Sequence, residues 1–129
     1  MIVDCHTHIW QSPDQLGQVD LGEQSRLMRA RAPRLSSTGR AVFRSIPAAD
    51  PDHHWAQNEM VDKSIVLGFK SRYLRAEIPN RFVADYVSRD PQKLIGFAGI
   101  DPTEKSAIGD LRTAKNELRL RGITLSPAS

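Results

Sequence analysis

Met1-Ile-Val-Asp-Cys-His-Thr-His-Ile-Trp10 is the stretch on which the fold turns. Ile2, Val3, Cys5 and Ile9 form a short apolar run with strand character. Side chains alternate along a strand, so His6 and His8 fall on one face, their Cα atoms roughly 6.6 Å apart. Strict alternation puts Asp4 on that face too, with Cys5 and Thr7 on the other. Two imidazoles at this spacing can converge on one divalent metal, zinc foremost, each nitrogen about 2.0–2.1 Å from the ion. They make only half a site, since a catalytic zinc takes about three protein ligands and a water. A lone His-x-His also arises by chance, so the rest of the chain has to supply the context.

The bulk properties narrow the classes. The chain has 129 residues, 40% of them hydrophobic and 26% charged, which describes an ordinary globular chain of single-domain length. Its net charge of +3 is small and spread along the chain, a poor basis for nucleic-acid binding. The Arg-rich run Arg26, Arg29, Arg31 and Arg34 reads better as a solvated helix face than as a phosphate-binding surface. No window approaches the run of about 18 apolar residues that a membrane helix needs, and no secretory leader is seen. Cys5, the single cysteine, has no internal disulfide partner, so a cytoplasmic setting is expected.

Outward from Trp10 comes a long polar insertion, about residues 11–50, expected to act as a lid or an interface element. Within it, Ser12-Pro-Asp-Gln15 and Asp20-Leu-Gly-Glu23 have the form of capping boxes. The second opens a helix to about Arg31, and Thr38–Ile46 is a candidate extended piece. Asp50-Pro51 then reads as an N-cap and first helical residue of a helix to about Met60. His53 and His54 lie in its first turn, about 100° apart around the axis, badly placed to share a metal and expected as surface or cap residues, the alternative being contact with the active site.

Alternating strands and helices follow. Lys63–Phe69 is a strand by its β-branched run, and Ile78–Arg89 a helix with Phe82, Val83, Tyr86 and Val87 on one face. Leu94–Ile100 is an almost continuous apolar run of the kind buried on both faces. Asp101-Pro-Thr-Glu104 caps a helix to about Arg121, with Ile108, Leu111, Ala114 and Leu118 on its inner stripe and Gly122 closing it. Ile123-Thr-Leu125 begins a fourth strand. Single helices between strands imply parallel βαβ units. No Gly-x-Gly-x-x-Gly or Walker-type loop follows the first strand, so a barrel with chemistry at the C-terminal strand ends is favoured over a nucleotide-binding sheet.

Asp4-Cys-His-Thr-His8 on a first strand resembles the amidohydrolase superfamily, closest to the metal-dependent hydrolase branch typed by aminocarboxymuconate-semialdehyde decarboxylase. Ile95-Gly-Phe-Ala-Gly-Ile-Asp-Pro102 and Leu120-Arg-Gly-Ile-Thr-Leu-Ser-Pro127 look like that branch's third and fourth strands, so the likeness spans most of the chain outside 11–50. The resemblance implies a TIM-type (β/α)8 barrel, of which residues 1–129 supply the N-terminal half; whole barrels run to about 250 residues. It implies metal ligation by His6 and His8, with two more histidines and an aspartate expected from strands five, six and eight. Residues 122–129 contain no lysine, which disfavours the bridged dinuclear site of some branches.

The activity implied is metal-dependent hydrolysis or non-oxidative decarboxylation of a small, carboxylate-bearing substrate, with this chain alone incomplete and inactive. Asp4 is expected either to orient a liganding imidazole or to be a structural carboxylate. Lys70, Arg72 and Arg75 leave the C-terminal end of the second strand, where they either hold an anionic substrate or remain solvated loop charges. The alternative is a non-catalytic half-barrel that folds by pairing with itself or with a complementary chain. Association through the open half-barrel, as a homodimer for instance, is expected because four parallel strands leave two unpaired edges.

Overall fold

Parallel pairing organises the sheet, as the strand–helix alternation predicts. The computed structural model describes residues 1–11, 15 and 49–126. Four strands, β1 (Val3–Thr7), β2 (Lys63–Leu67), β5 (Leu94–Ile100) and β6 (Gly122–Leu125), lie in the order β1-β2-β5-β6. All three pairings are parallel, and the sheet curls into a half-barrel. Helices α1 (Pro51–Gln57), α2 (Asn80–Val87) and α3 (Ala107–Asn116) fall between successive strands. The two ends of the insertion meet at the close of β1, where the Trp10 N–H donates to the Ala49 carbonyl at 3.0 Å. The expected capping boxes, helix, extended piece and lid of the insertion lie outside the described residues.

The two faces of the sheet are distinct. Gly96 of β5 turns toward the helices, where Val83, Val87 and Leu120 occupy the space a side chain would need. Leu94, Ala98 and Ile100 share that face and join Val66, Val83 and Tyr86 in the buried core. Ile95 and Phe97 alternate onto the concave face and are only half-buried. Phe97 lies over Gly122, where an added Cβ would sit 2.5 Å from the ring. That close approach explains the glycine.

A small hairpin was not expected. β3 (Phe69–Ser71) and β4 (Ala76–Ile78) pair antiparallel beyond the C-terminal end of β2, turning through Arg75 at φ 49°. Phe69 crosses Gly99 so closely that a Cβ there would lie 2.4–2.6 Å from the Phe69 backbone. Ile78 is therefore a strand residue, and α2 starts two residues later than the apolar periodicity suggests. Pro79 is the physical reason, since it drives the residue before it into extended geometry.

The ends of the other helices divide. Asp50 caps α1 as expected, its Oδ1 accepting from the N–H groups of Asp52 and His53 at 3.1 and 3.0 Å. These bonds hold its carboxyl below the usual range. Asp101 instead caps a turn: Oδ1 takes the Thr103 N–H and hydroxyl, and Oδ2 the Arg72 N–H of the hairpin. The Thr103 hydroxyl bond leads in lowering its pKa. Helix α3 begins five residues after the expected Pro102 and ends at Asn116, with Arg119 at φ 54° in the left-handed role assigned to Gly122. Of its expected inner stripe, Ala114 is buried, but Ile108 is 61% and Leu111 37% exposed. Among the described residues no helix is long and apolar enough to cross a membrane.

Candidate functional site

The site begins with an irregularity in β1. Asp4 pairs with Ser64 and Thr7 with Val66, so three steps along β1 match two along β2. This bulge places Asp4 and Thr7 together on the helix side of the sheet, because Ser64 and Val66 share a face. Strict alternation is thereby corrected: Asp4 does not share the face of His6 and His8. Its Oδ1 accepts from the His6 backbone N–H at 3.1 Å, and among the described residues its carboxylate makes no bond to an imidazole ring.

His6 and His8 come together at the C-terminal end of β1. Their Nε2 atoms are 3.2 Å apart and their rings meet edge to face at 5.1 Å. His8 Nδ1 is 2.9 Å from the carbonyl oxygen of Leu67, the last residue of β2. A carbonyl only accepts, so Nδ1 carries the proton and Nε2 presents a lone pair; the tautomer follows from the bonding network. Burial drives the His8 pKa below 6.5, the Leu67 bond opposes this, and neighbouring His6 lowers it further. Phe69 stands edge-on to the His8 ring at 6.5 Å. The pair fits a metal: two nitrogens bound to one tetrahedral ion at 2.0–2.1 Å are themselves about 3.3 Å apart. Among the described residues no group of three or more His, Cys, Asp or Glu side chains is placed to hold an ion.

Behind the pair, on the helix side, lies a third histidine that periodicity did not single out. His53 is exposed as expected, but His54 is half-buried. His54 Nε2 lies 2.9 Å from Thr7 Oγ1, and Nδ1 lies 2.5 Å from the Tyr86 hydroxyl. Burial pushes the Tyr86 phenol up to about 12, so it stays protonated and donates to Nδ1, while Nε2–H donates to Thr7. Burial likewise lowers the His54 pKa, against an opposing pull from Asp4. Nothing local in the sequence links positions 7, 54 and 86; only the packing of α1 and α2 onto β1 does.

The three candidate substrate-binding cations do gather in one place. Lys70, Arg72 and Arg75 line a shallow hollow of about 260 Å³, shared with Glu77 and Glu104. Lys70 sits on the opposite face of β3 from Phe69, and its ammonium lies 2.7 Å from Glu104 and 2.8 Å from Asp110. Its bonds to Asp110 and then Glu104 raise its pKa. That charge is engaged within the fold rather than presented to a ligand. Arg72 and Arg75 are exposed, and among the described residues neither guanidinium is ion-paired.

No family profile, curated protein or solved structure matches this chain.

Proposed function

We propose that this chain supplies the first four strands and one arm of the metal site of a TIM-type barrel enzyme. The reading is a metal-dependent hydrolase or non-oxidative decarboxylase of the amidohydrolase kind. The observation that carries it is the 3.2 Å approach of His6 Nε2 to His8 Nε2 at the end of a parallel strand. Chemistry in parallel α/β barrels gathers at that end.

When bound, a divalent ion, zinc foremost, supplies a water acidified toward about pKa 7 and polarises a substrate oxygen. The chain's own part is to prepare the ligands. Leu67 fixes the His8 ring through Nδ1, the arrangement by which liganding histidines are oriented in metal sites. The lowered His8 pKa keeps Nε2 free of a proton near neutrality. Asp4 sets the backbone of His6 through the bulge. Arg72 and Arg75 remain the cations able to receive a substrate carboxylate, a role from which Lys70 is held back by its own two carboxylate partners.

Cobalt(II) titration of the 129-residue chain, followed by visible absorption and calorimetry, tests the reading. Weak binding without turnover, abolished in His6→Ala and in His8→Ala, is the expected result. Binding unchanged in both variants would sink the metal site. Sub-micromolar affinity with turnover would show that this chain alone holds a complete site. A second reading, a non-catalytic half-barrel completed by pairing, draws on β1 and β6 each having one strand neighbour among the described residues.

A further inference from the structure

His8 has an anchor of its own, because the Leu67 carbonyl holds its ring from β2. His6 is held differently. Among the described residues its ring has one hydrogen-bond partner, His8 Nε2 at 3.2 Å. The direction of the His6 ring is therefore inherited from the backbone beneath it. That backbone is the bulge between Asp4 and Thr7, where a strand bends and its extra residue lies out of register with the neighbour.

Two side chains secure the bulge. Before it, Asp4 Oδ1 accepts the His6 N–H at 3.1 Å. After it, Thr7 Oγ1 accepts the Nε2–H of His54 at 2.9 Å. Thr7 is half-buried and β-branched, with little freedom about χ1. Fixing its hydroxyl thus fixes the Cα–Cβ direction between the two histidines. His54 is a firm post for that bond. The buried Tyr86 hydroxyl holds Nδ1 at 2.5 Å, and the two rings meet edge to face at 5.3 Å. Both ring nitrogens are engaged, so the imidazole cannot turn without breaking a bond. Arg89 lies over the Tyr86 ring at 5.5 Å and pairs with Asp52 at 2.7 Å, a second tie between α2 and α1.

We propose that His54 is a positioning residue, which through Thr7 holds the β1 bulge in the form that aims His6 at His8. It acts from the helix side of the sheet and bonds to Thr7 and Tyr86 rather than to either imidazole of the pair. The consequence for metal affinity rests on the metal reading above, whereas the aiming of the two rings does not. Residues that orient liganding histidines from behind commonly set affinity by about 10–100-fold.

Thr7→Val nearly keeps the side-chain shape and deletes the acceptor, and Thr7→Ser restores one. In the metal-free 129-residue chain, NMR cross-relaxation between the His6 and His8 rings reads their aim. The signal is expected in the parent and in Thr7→Ser, and should be lost in Thr7→Val and in His54→Phe. Its persistence in folded Thr7→Val overturns the proposal, as does its absence from the parent.

Cobalt(II) titration well below the melting temperature reads the consequence. Affinity should fall about tenfold in Thr7→Val and in His54→Phe, and the double variant should lose no more than either alone. Asp52→Ala is the control, since it cuts the Arg89 tie between the same helices without reaching Thr7. It should stay within about twofold of the parent. An equal loss there would assign the effect to general loosening and overturn the positioning role. Cobalt binding that ignores His6→Ala and His8→Ala removes the metal reading, and the ring-to-ring signal then still decides the aiming.

Discussion

His54 Nδ1 sits 2.5 Å from the hydroxyl of Tyr86, joining α1 to α2 directly behind the strand that carries His6 and His8. The bond continues through His54 Nε2 to Thr7, so one imidazole ties both helices to β1.

Tyr86→Phe removes the donor and leaves Nδ1 half-buried without its partner. A loss of about 1–3 kcal/mol is expected in urea denaturation at fixed protein concentration. Because both changes act on one network, the His54→Ala/Tyr86→Phe double variant should cost less than the sum of the two single changes. Additive costs would mean that the contact carries no coupling.

Acid should weaken the fold through the same residue. The folded pKa of His54 lies below its ordinary 6.5, chiefly through burial, so the unfolded chain binds the extra proton first. The stabilisation is complete above pH 6.5 and declines as pH falls below it toward the folded pKa. Denaturation curves from neutral pH to about pH 5.5 should show a shallower decline for His54→Gln than for the parent. Equal slopes would assign the acid sensitivity to other groups.

Two glycines should respond in opposite directions. At Gly99 an alanine Cβ would press on the Phe69 backbone, which cannot step aside as a side chain can. Gly99→Ala is expected to cost about 3 kcal/mol or more. Gly109 lies inside α3 with open space where its Cβ would be, so Gly109→Ala should add about 0.5–1 kcal/mol of stability. Thermal melts of the two variants beside the parent decide both.

Lys70→Met would leave Glu104 and Asp110 facing the same spot without their shared cation. A loss of about 1–3 kcal/mol is expected, partly recovered at high salt as the remaining repulsion is screened. An unchanged midpoint would mean that Lys70 is free to bind a ligand after all.

Much of the architecture was legible in order along the chain. The β-branched run expected at 63–69, of which 63–67 form β2 and Phe69 opens β3, the apolar run at 94–100, the Asp50-Pro51 start and the face carrying Val83 and Tyr86 reflect local preferences that packing reinforced. The two-residue spacing of His6 and His8 likewise anticipated their convergence, because alternation is a property of the strand itself. Other features needed long-range pairing. The hairpin at 69–78 was hidden because its turn, Arg72-Tyr73-Leu74-Arg75, is exposed and has no apolar alternation, and β3 is set by its contact with β5. The bulge that moved Asp4 off the histidine face arises from the register of β1 against β2, which no count along one strand contains.

The sequence by itself determined the alternation of strands and helices and the pairing of two imidazoles, since both follow from periodicities of the backbone. Tertiary structure alone decided which charges are free and which histidine is enclosed. Lys70 is occupied because α3 and the loop before it bring Asp110 and Glu104 beside β3, and His54 is enclosed because Thr7 and Tyr86 meet around it. Those partners lie between 32 and 47 residues away for His54 and 34 or more for Lys70, distances over which only the folded chain sets a neighbour.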